Sequence, residues 1–568
     1  MTDAPTITRA ELIEKFTGPG QEFEIVEQEI NGIPWRVYKN GPQTLRDIAL
    51  TAKQFGDRYI TAYNGERVTY ADHARQVLGL AKALQEDYGL VKGDRIAVAM
   101  RNYPEWAVWT QVTHILGLVI VPLNAWWTAP ELQYAIDDSG VKLVVADGER
   151  AAMLAPQLAK DGIPLIEVRP SAPTEGARQW SDLLASLDLD APVPDVEVLP
   201  EDDATILYTS GTTGRPKGAV GTHRNHVTNL RNTLLGAMVS AAIANGGEIP
   251  EPDPDAPQPS AFCTFAMFHI AGVTSLGFGM MIGAKTVTQY KWDRAEASEL
   301  VVSEDVTSIG GVPTVVRAVL EDVAAKPERY QNLTGISAGG APVPPDLIDR
   351  IGSLFQRAVS PGNGYGLTET TSAVVSNTGA DYLDNPNSVG RCQPGTDVRV
   401  VEPDTGRDAP EGGLGELWFR GPNIVRGYWN NPEGTAAAFT DGWFHTGDIG
   451  RVEDGWVYVM DRMKDVVIRG GENIYCAEVE AVLYEHPGIE DVALIGIPHE
   501  ELGEEAVAVV VPREGATPSE QDVKDHVAQR LAKFKVPSQV VFMPEGLPRT
   551  PTGKVLKRDL RTTIAAPQ

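Results

Sequence analysis

Cysteine is scarce in this chain: three residues in 568, at positions 263, 392 and 476. They form no C-x-x-C pair and have no metal-ligand spacing, so no disulfide framework is expected and a reducing cytoplasm fits. Positive charge is the second shortage. Lys and Arg number 49 against 77 Asp and Glu, a net charge of −28. That balance argues against a nucleic-acid partner, because phosphate backbones call for clustered basic residues. Long apolar runs are missing too. The most apolar stretch, Trp106 to Leu123, is interrupted by Gln111, Thr113 and His114, and is too short and mixed to span a bilayer. The start of the chain lacks the basic and apolar regions of a signal peptide, and its end carries no lipidation or peroxisomal address. A cytoplasmic protein with no transmembrane segment is the expectation.

What is present is an ordinary globular mixture, 42% hydrophobic and 22% charged, over a length that exceeds a single core. From Leu45 onward, amphipathic helices alternate with apolar strands. Leu45 to Gln54, His73 to Tyr88, Pro104 to Leu116 and Pro130 to Asp138 read as helices. Arg95 to Met100, Leu118 to Pro122 and Val141 to Ala146 read as strands. This is the grammar of an α/β sheet with right-handed crossovers. The first forty residues suggest a leader packed on the main body, with a helix from Arg9 to Phe16. Residues 168–202 and 245–260, rich in Pro and acidic residues, read as surface connections. Near Asp461 the character changes to a compact α+β unit. Its expected elements are helices over Ala477–Tyr484 and Glu520–Ala532, and strands over Asp491–Ile497, Glu505–Val511 and Gln539–Met543. The fold class is therefore α/β: a large multi-subdomain N-terminal α/β domain, residues 1–463, and a small mobile C-terminal α+β domain, residues 464–568. The polar run Asp461-Arg-Met-Lys-Asp465 suits a hinge.

The stretch Tyr208-Thr-Ser-Gly-Thr-Thr-Gly-Arg-Pro-Lys-Gly218 combines four hydroxyl residues, three glycines and two cations. It stands between an expected strand, Ala204 to Tyr208, and helical spacing from about Thr222 to Ala241. Glycines let backbone N–H groups approach an anion, hydroxyls add donors, and lysine neutralises charge. A Walker A loop is excluded, because Pro216 stands where the second glycine is required and Gly218 follows Lys217 where a hydroxyl is required. Further along come Phe268-His-Ile-Ala-Gly272, Ser337-Ala-Gly-Gly-Ala-Pro342 and Asn363-Gly-Tyr-Gly-Leu-Thr-Glu-Thr370. These are followed by His445-Thr-Gly-Asp448, Gly470-Gly-Glu-Asn-Ile474 and Pro548-Arg-Thr-Pro-Thr-Gly-Lys-Val-Leu556. Read alone, a buried structural histidine, a tight turn and a solvated lysine account for several of these.

In their order and spelling, these segments resemble the adenylate-forming superfamily: acyl-CoA synthetases, luciferases and peptide-synthetase adenylation domains. The resemblance runs from about residue 44 to residue 561 and implies ATP, Mg²⁺ and coenzyme A as cofactors or co-substrates. Thr209, Ser210, Gly211, Thr212, Thr213, Gly214 and Lys217 would grip the pyrophosphate side of ATP. Gly340, Ala341, Pro342, Asn363, Gly364 and Gly366 would line the nucleotide site, with Tyr365 offering a face to adenine. The resemblance gives Thr368 the α-phosphate, Glu369 the metal, and Asp448 the ribose. Arg462 would contact ribose and phosphate. Lys464 would be the hinge, Gly470, Gly471 and Glu472 the loop serving the second half-reaction, and Lys554 the catalytic lysine. His269 would shape the acyl pocket, and Lys554, Thr368 and His269 make up the catalytic set. The implied partners are a small-molecule carboxylic acid, ATP and coenzyme A, with a homodimer left open. A hydrophobic acid, fatty before aryl or steroid, is expected because no basic residue stands out to pair a second acid charge. An acyl-AMP ligase that loads a carrier protein is the nearest alternative.

Overall fold

A computed structural model describes residues 7–209, 215–251, 253, 256–356, 358–550 and 553–565. The alternating segments form two large sheets. The first has seven strands in the order Lys217–Thr222, Asp203–Thr209, Val119–Pro122, Arg95–Ala99, Leu143–Asp147, Leu165–Val168 and Arg178–Gln179. Its central strands are parallel, and Val, Ile and Ala on both of their faces are buried, as a sheet covered on two sides requires. The second sheet has nine strands, with Ser260–Cys263, Ser308–Gly311, Gly335–Gly339 and Ser360–Leu367 parallel at its centre. All twelve residues of the helix Glu105–Leu116 are buried. The helix has no solvent face, its polar Gln111, Thr113 and His114 being buried with the rest, and it sits in a core shared with Tyr70–Glu86 and Ile270–Ile282.

A five-stranded sheet follows, built on Asp397–Val401, Gly415–Arg420 and Trp443–Glu453, with Trp456–Arg462 paired to the last of these. The C-terminal sheet holds Val467–Arg469, Glu472–Ile474, Ile489–His499, Gly503–Pro512 and Gln539–Phe542. Its two faces are covered by Cys476–Tyr484 and Glu520–Ala528 on one side and Lys557–Ala565 on the other. The fold is thus a large N-terminal α/β domain followed by a small α+β domain. The leader helix Arg9–Thr17 and the hairpin Ile25–Ile30/Ile33–Tyr38 pack Leu12, Phe16, Phe23 and Tyr38 against Leu235, Val239 and Ala242. No helix among the described residues is long and apolar enough to cross a membrane.

Three expectations are corrected. The glycine- and hydroxyl-rich loop does not lead straight into a helix. Lys217–Thr222 returns as a strand antiparallel to Asp203–Thr209, and the helix His223–Ala244 starts beyond that strand. The first turn of that helix is closed by Thr222 and Asn225 in a capping box, so its N–H groups are satisfied within the protein. Residues 168–202 contain an edge strand, Arg178–Gln179, and a short helix, Trp180–Ala185, whose Trp180 and Leu183 are buried. The helix from Glu520 ends at Ala528 rather than Ala532.

The N-terminal half of His223–Ala244 is buried and polar. Asn225 Nδ2 donates to the carbonyls of Pro422 (2.8 Å) and Ile424 (2.9 Å), and Asn229 Nδ2 donates to Ala373 O at 2.8 Å. These bonds tie the segment after residue 369 to the segment before Tyr428. Burial pushes His223 down to about 4 and His226 down to about 3. His73 on Tyr70–Glu86 is likewise pushed down to about 4. Their native pKa values lie below that of an unfolded histidine, so the unfolded state gains protons first as pH falls. Stability is therefore expected to be lost between about pH 6.5 and 4, at up to ~1.4 kcal/mol per pH unit for each such histidine. Melting temperatures measured across that range check this, and a flat profile contradicts it.

Candidate active site

Lys554 lies at the end of a tight turn in the C-terminal domain. Gly553 adopts φ +82°, a left-handed conformation that a side chain rarely tolerates. Its N–H donates to Thr550 O (2.8 Å), and the N–H of Lys554 donates to Thr550 Oγ1 (3.0 Å). A methyl group built on Gly553 would lie 3.2 Å from Val312, so Gly553 lies against the large domain just after the strand Ser308–Gly311. Burial, and next the Arg462 guanidinium, push the Lys554 ammonium down to about 8, against the opposing pull of Asp448 and Glu369. One lysine from the small domain and three charged side chains of the large one thus share a single electrostatic environment.

Each of those partners is braced. Asp448 is buried at the bend of Trp443–Glu453, with its N–H on Thr446 Oγ1 (3.0 Å). Tyr365 Oη donates to Asp448 Oδ2 at 2.7 Å, and Arg462 Nε lies 3.5 Å from Oδ1. Burial pushes the Asp448 carboxyl up, while Arg462 and Tyr365 oppose the shift. The Tyr365 ring packs 5.9 Å from Phe419. The strand Ser360–Leu367 carries Asn363, Gly364, Tyr365 and Gly366, and the tight turn Thr368–Thr370 follows it directly. Sequence order therefore puts Thr368 and Glu369 at the carboxyl end of a parallel-sheet strand, where open α/β sheets bind ligands. Gly335–Gly339 pairs beside it in parallel register, which brings Gly340, Ala341 and Pro342 to the same end.

Glu369 is buried, and its Oε1 accepts a hydrogen bond from Tyr428 Oη at 2.9 Å. Lys217 Nζ sits 5.0 Å from the centre of the Tyr428 ring, and Thr209 Oγ1 donates to Lys217 O at 3.4 Å. Lys217 and Glu369 thus meet through Tyr428. Ser210, Gly211, Thr212, Thr213 and Gly214 lie outside the described residues. Tyr428 is not among the site residues read from the sequence. The signal available there was a tyrosine following a Pro-Asn-Ile-Val-Arg-Gly run.

His269 caps the helix Ile270–Ile282, its Nδ1 accepting from Ala271 N at 3.4 Å. Burial, with a smaller contribution from Lys554, pushes it down to about 4. It is therefore neutral near pH 7 and suited to shaping a cavity rather than carrying charge. Lys464 is pushed down by burial and then by Arg462. Gly470 (φ +60°) and Gly471 (φ +87°) form a two-residue hairpin turn between Arg469 and Glu472, as a turn with two positive φ angles demands. Gly470 N donates to Leu502 O and Glu472 is exposed, so the structure does not bring this loop to the Lys554 cluster. Among the described residues no group of three or more His, Cys, Asp and Glu could hold a metal. A lone carboxylate such as Glu369 still suits Mg²⁺, which is typically bound by one or two carboxylates together with substrate phosphates.

The chain matches the AMP-binding enzyme family over residues 48–429 and the AMP-binding enzyme C-terminal domain over residues 478–554. It is 35% identical over 501 residues to a feruloyl-CoA synthase of an Amycolatopsis species, covering 88% of this chain and 94% of that one. It is 35% identical over 518 residues to the long-chain-fatty-acid–CoA ligase FadD13 of Mycobacterium tuberculosis, covering 89% and 95%. Among solved structures it is similar to ATP-bound MatB from Rhodopseudomonas palustris, with a TM-score of 0.78, 31% identity and coverage of 91% and 99%. The chain therefore belongs to the AMP-binding enzymes and is an AMP-forming acid–thiol ligase, an acyl-CoA synthetase of the adenylate-forming superfamily.

Proposed function

We propose that the enzyme activates a hydrophobic monocarboxylic acid, a fatty acid in the first instance, with ATP and passes the acyl group to coenzyme A. The observation that carries this reading is the shared electrostatic environment of half-buried Lys554 with Asp448, Arg462 and Glu369. In the first step the substrate carboxylate attacks the α-phosphorus of ATP and pyrophosphate leaves. Two anions must approach, so the barrier is set by charge, and fixed cations in a desolvated site lower it. Lys554 would hold the oxygens between acid and α-phosphate, with the Thr368 hydroxyl beside it, and Lys217 would face the leaving pyrophosphate. Asp448 would accept from the ribose hydroxyls, held in place by Tyr365. Glu369 would hold Mg²⁺, which supplies positive charge to the phosphate oxygens. In the second step the thiol of coenzyme A attacks the acyl carbon and AMP leaves.

The division of the chain at residues 463 and 464 belongs to the same proposal. Arg462 still pairs with Asp448 in the large domain, whereas Val467 already pairs with Ile474 in the small one. The chain therefore changes body within four residues, around Lys464. Rotation there would withdraw Lys554 and bring in Gly470, Gly471 and Glu472 for the thiol's attack, a gating motion of the kind many enzymes use.

The apolar preference rests on composition. Residues 230–240, 268–280, 310–313 and 338–341 contain one basic residue, Arg231, and its guanidinium is engaged by the Asn40 and Glu22 carbonyls rather than free to pair a second carboxylate. An aryl acid is the second reading, supported by the feruloyl-CoA synthase likeness at the same identity as the fatty-acid ligase. The test is AMP and pyrophosphate release across short, medium and long-chain, aromatic and steroid-like acids, with and without coenzyme A. Acid-dependent release with an acyl-CoA product is expected. Release of ADP, or an acyl-adenylate that free coenzyme A never consumes, would overturn the reading, the second outcome favouring a carrier-protein acceptor.

A further inference from the structure

Asp461 is the last but one residue of the strand Trp456–Arg462, three residues before Lys464. Its register partner is Ile449 in the large domain. Its carboxylate, however, reaches across the domain boundary. Oδ2 accepts from the backbone N–H of Cys476 and from that of Ala477 (3.4 Å), the first residues of the helix Cys476–Tyr484 in the small domain. Oδ1 accepts from the N–H of Arg462 at 2.7 Å. The side chain is buried. A buried carboxylate with three backbone donors is a directional, charge-assisted contact, stronger than a neutral hydrogen bond.

The donors sit 15 and 16 residues downstream, beyond the pivot, so the contact holds only while the two domains keep this relative pose. At the pivot itself the N–H groups of Asp465 (2.8 Å) and Val466 (3.2 Å) donate to Arg462 O, a local turn around Lys464, and the next ties lie on one side of it. Cys476 Sγ donates to Asp465 O (3.0 Å), Arg561 pairs with Asp465 (3.3 Å) and Lys557 with Glu480 (2.8 Å), all within the small domain. Across the boundary, Gly553 touches Val312 and the Arg317 guanidinium lies over the Tyr484 ring at 5.6 Å; both are apolar or diffuse contacts. Beyond the turn at Lys464, Asp461 supplies the directional one among the described residues. It also directly precedes Arg462, which pairs with Asp448 and faces Lys554.

We propose that Asp461 is a positioning residue that latches the first turn of Cys476–Tyr484 and so holds the small domain in the pose that presents Lys554 for adenylation. The proposal rests on the two-pose reading above. Releasing the latch is then part of the passage to thioester formation, and its strength sets how the enzyme divides its time between the two half-reactions.

The test compares Asp461→Ala and Asp461→Asn with the wild type in three measurements: acid-dependent ATP–pyrophosphate exchange, thioester formation from supplied acyl-adenylate, and the rate of tryptic cleavage at Lys464 without ligands. Asp461→Ala is expected to lower kcat for exchange by roughly tenfold, leave KM for the acid and the thioester step unchanged, and speed cleavage at Lys464. Asp461→Asn keeps an acceptor oxygen for the Cys476 and Ala477 amides and is expected to recover most of the exchange rate. Equal loss of both half-reactions with unchanged cleavage, or an asparagine variant as impaired as the alanine one, would overturn the latch. Absence of acid-dependent exchange in the wild type would instead overturn the activity assignment, and the cleavage comparison would still report on Asp461.

Discussion

Lys554→Ala is expected to slow acyl-adenylate formation by about 10²–10³-fold, the usual loss when one preorganised charge-stabilising group is removed, while thioester formation from supplied acyl-adenylate proceeds at its normal rate. The asymmetry follows from where charge develops. Adenylation brings a carboxylate against a phosphate, and in the proposed function Lys554, which feels the charges of Asp448 and Glu369, would be the ammonium that meets the two anions. Thiol attack on the acyl carbon expels AMP from an already neutralised mixed anhydride and gains little from a cation on the thiol's side. A second signature comes from proton binding. Burial and Arg462 push Lys554 down to about 8, so the free enzyme loses the working, protonated form as pH rises through that value. The kcat/KM for ATP in pyrophosphate exchange should therefore fall about tenfold per pH unit above it. Lys554→Arg keeps its charge to far higher pH and should retain part of the rate with no such limb. Equal losses in both half-reactions, or a wild-type profile flat from pH 7 to 10, would refute the assignment.

Much of this site was legible in the sequence because chemistry and strand ends coincide. Asn363 to Gly366 spell a small-residue strand, and Thr368 and Glu369 follow at its carboxyl end, where a parallel sheet exposes backbone and ligands bind. Most helices and strands from Leu45 to Ala146 were legible from their apolar periods, but the strands Tyr59–Tyr63 and Glu66–Thr69 were not. The strand Lys217–Thr222 was not, because Lys-Gly-Ala-Val-Gly-Thr offers two glycines and no bulky alternation. Only its pairing with Asp203–Thr209 makes it a strand, and pairing is not written in the local sequence. Tyr428 and Asp461 were missed for a related reason. Each acts on a residue far along the chain, 59 positions away for Tyr428 on Glu369 and 15 for Asp461 on Cys476, and such partnerships appear only once the chain has folded.

Glu369→Ala should lower adenylation by about 10²–10³-fold, because a metal at the phosphates is worth several kcal/mol of transition-state charge stabilisation. Two roles compete for this carboxylate. It could serve the nucleotide by holding Mg²⁺, or it could simply brace Tyr428, whose hydroxyl donates to Oε1 at 2.9 Å. The geometry favours the first. Lys217 already lies over the Tyr428 ring, so the ring is held from its face as well as at its hydroxyl, and a brace needs no negative charge. The variants Glu369→Gln and Tyr428→Phe separate the roles. Glutamine keeps an acceptor for Tyr428 but loses the charge. If the carboxylate holds the metal, Glu369→Gln behaves like Glu369→Ala, requires a much higher Mg²⁺ concentration for half-maximal pyrophosphate exchange, and leaves the thioester step intact, since pyrophosphate has by then departed. Tyr428→Phe then costs roughly tenfold, the low end of what one hydrogen bond to a charged group is worth. If the carboxylate is only a brace, the order reverses: Glu369→Gln is mild, Tyr428→Phe matches Glu369→Ala, and the Mg²⁺ requirement does not move. A shift in Mg²⁺ dependence confined to the two Glu369 variants is the expected result, and its absence would remove the metal from this residue.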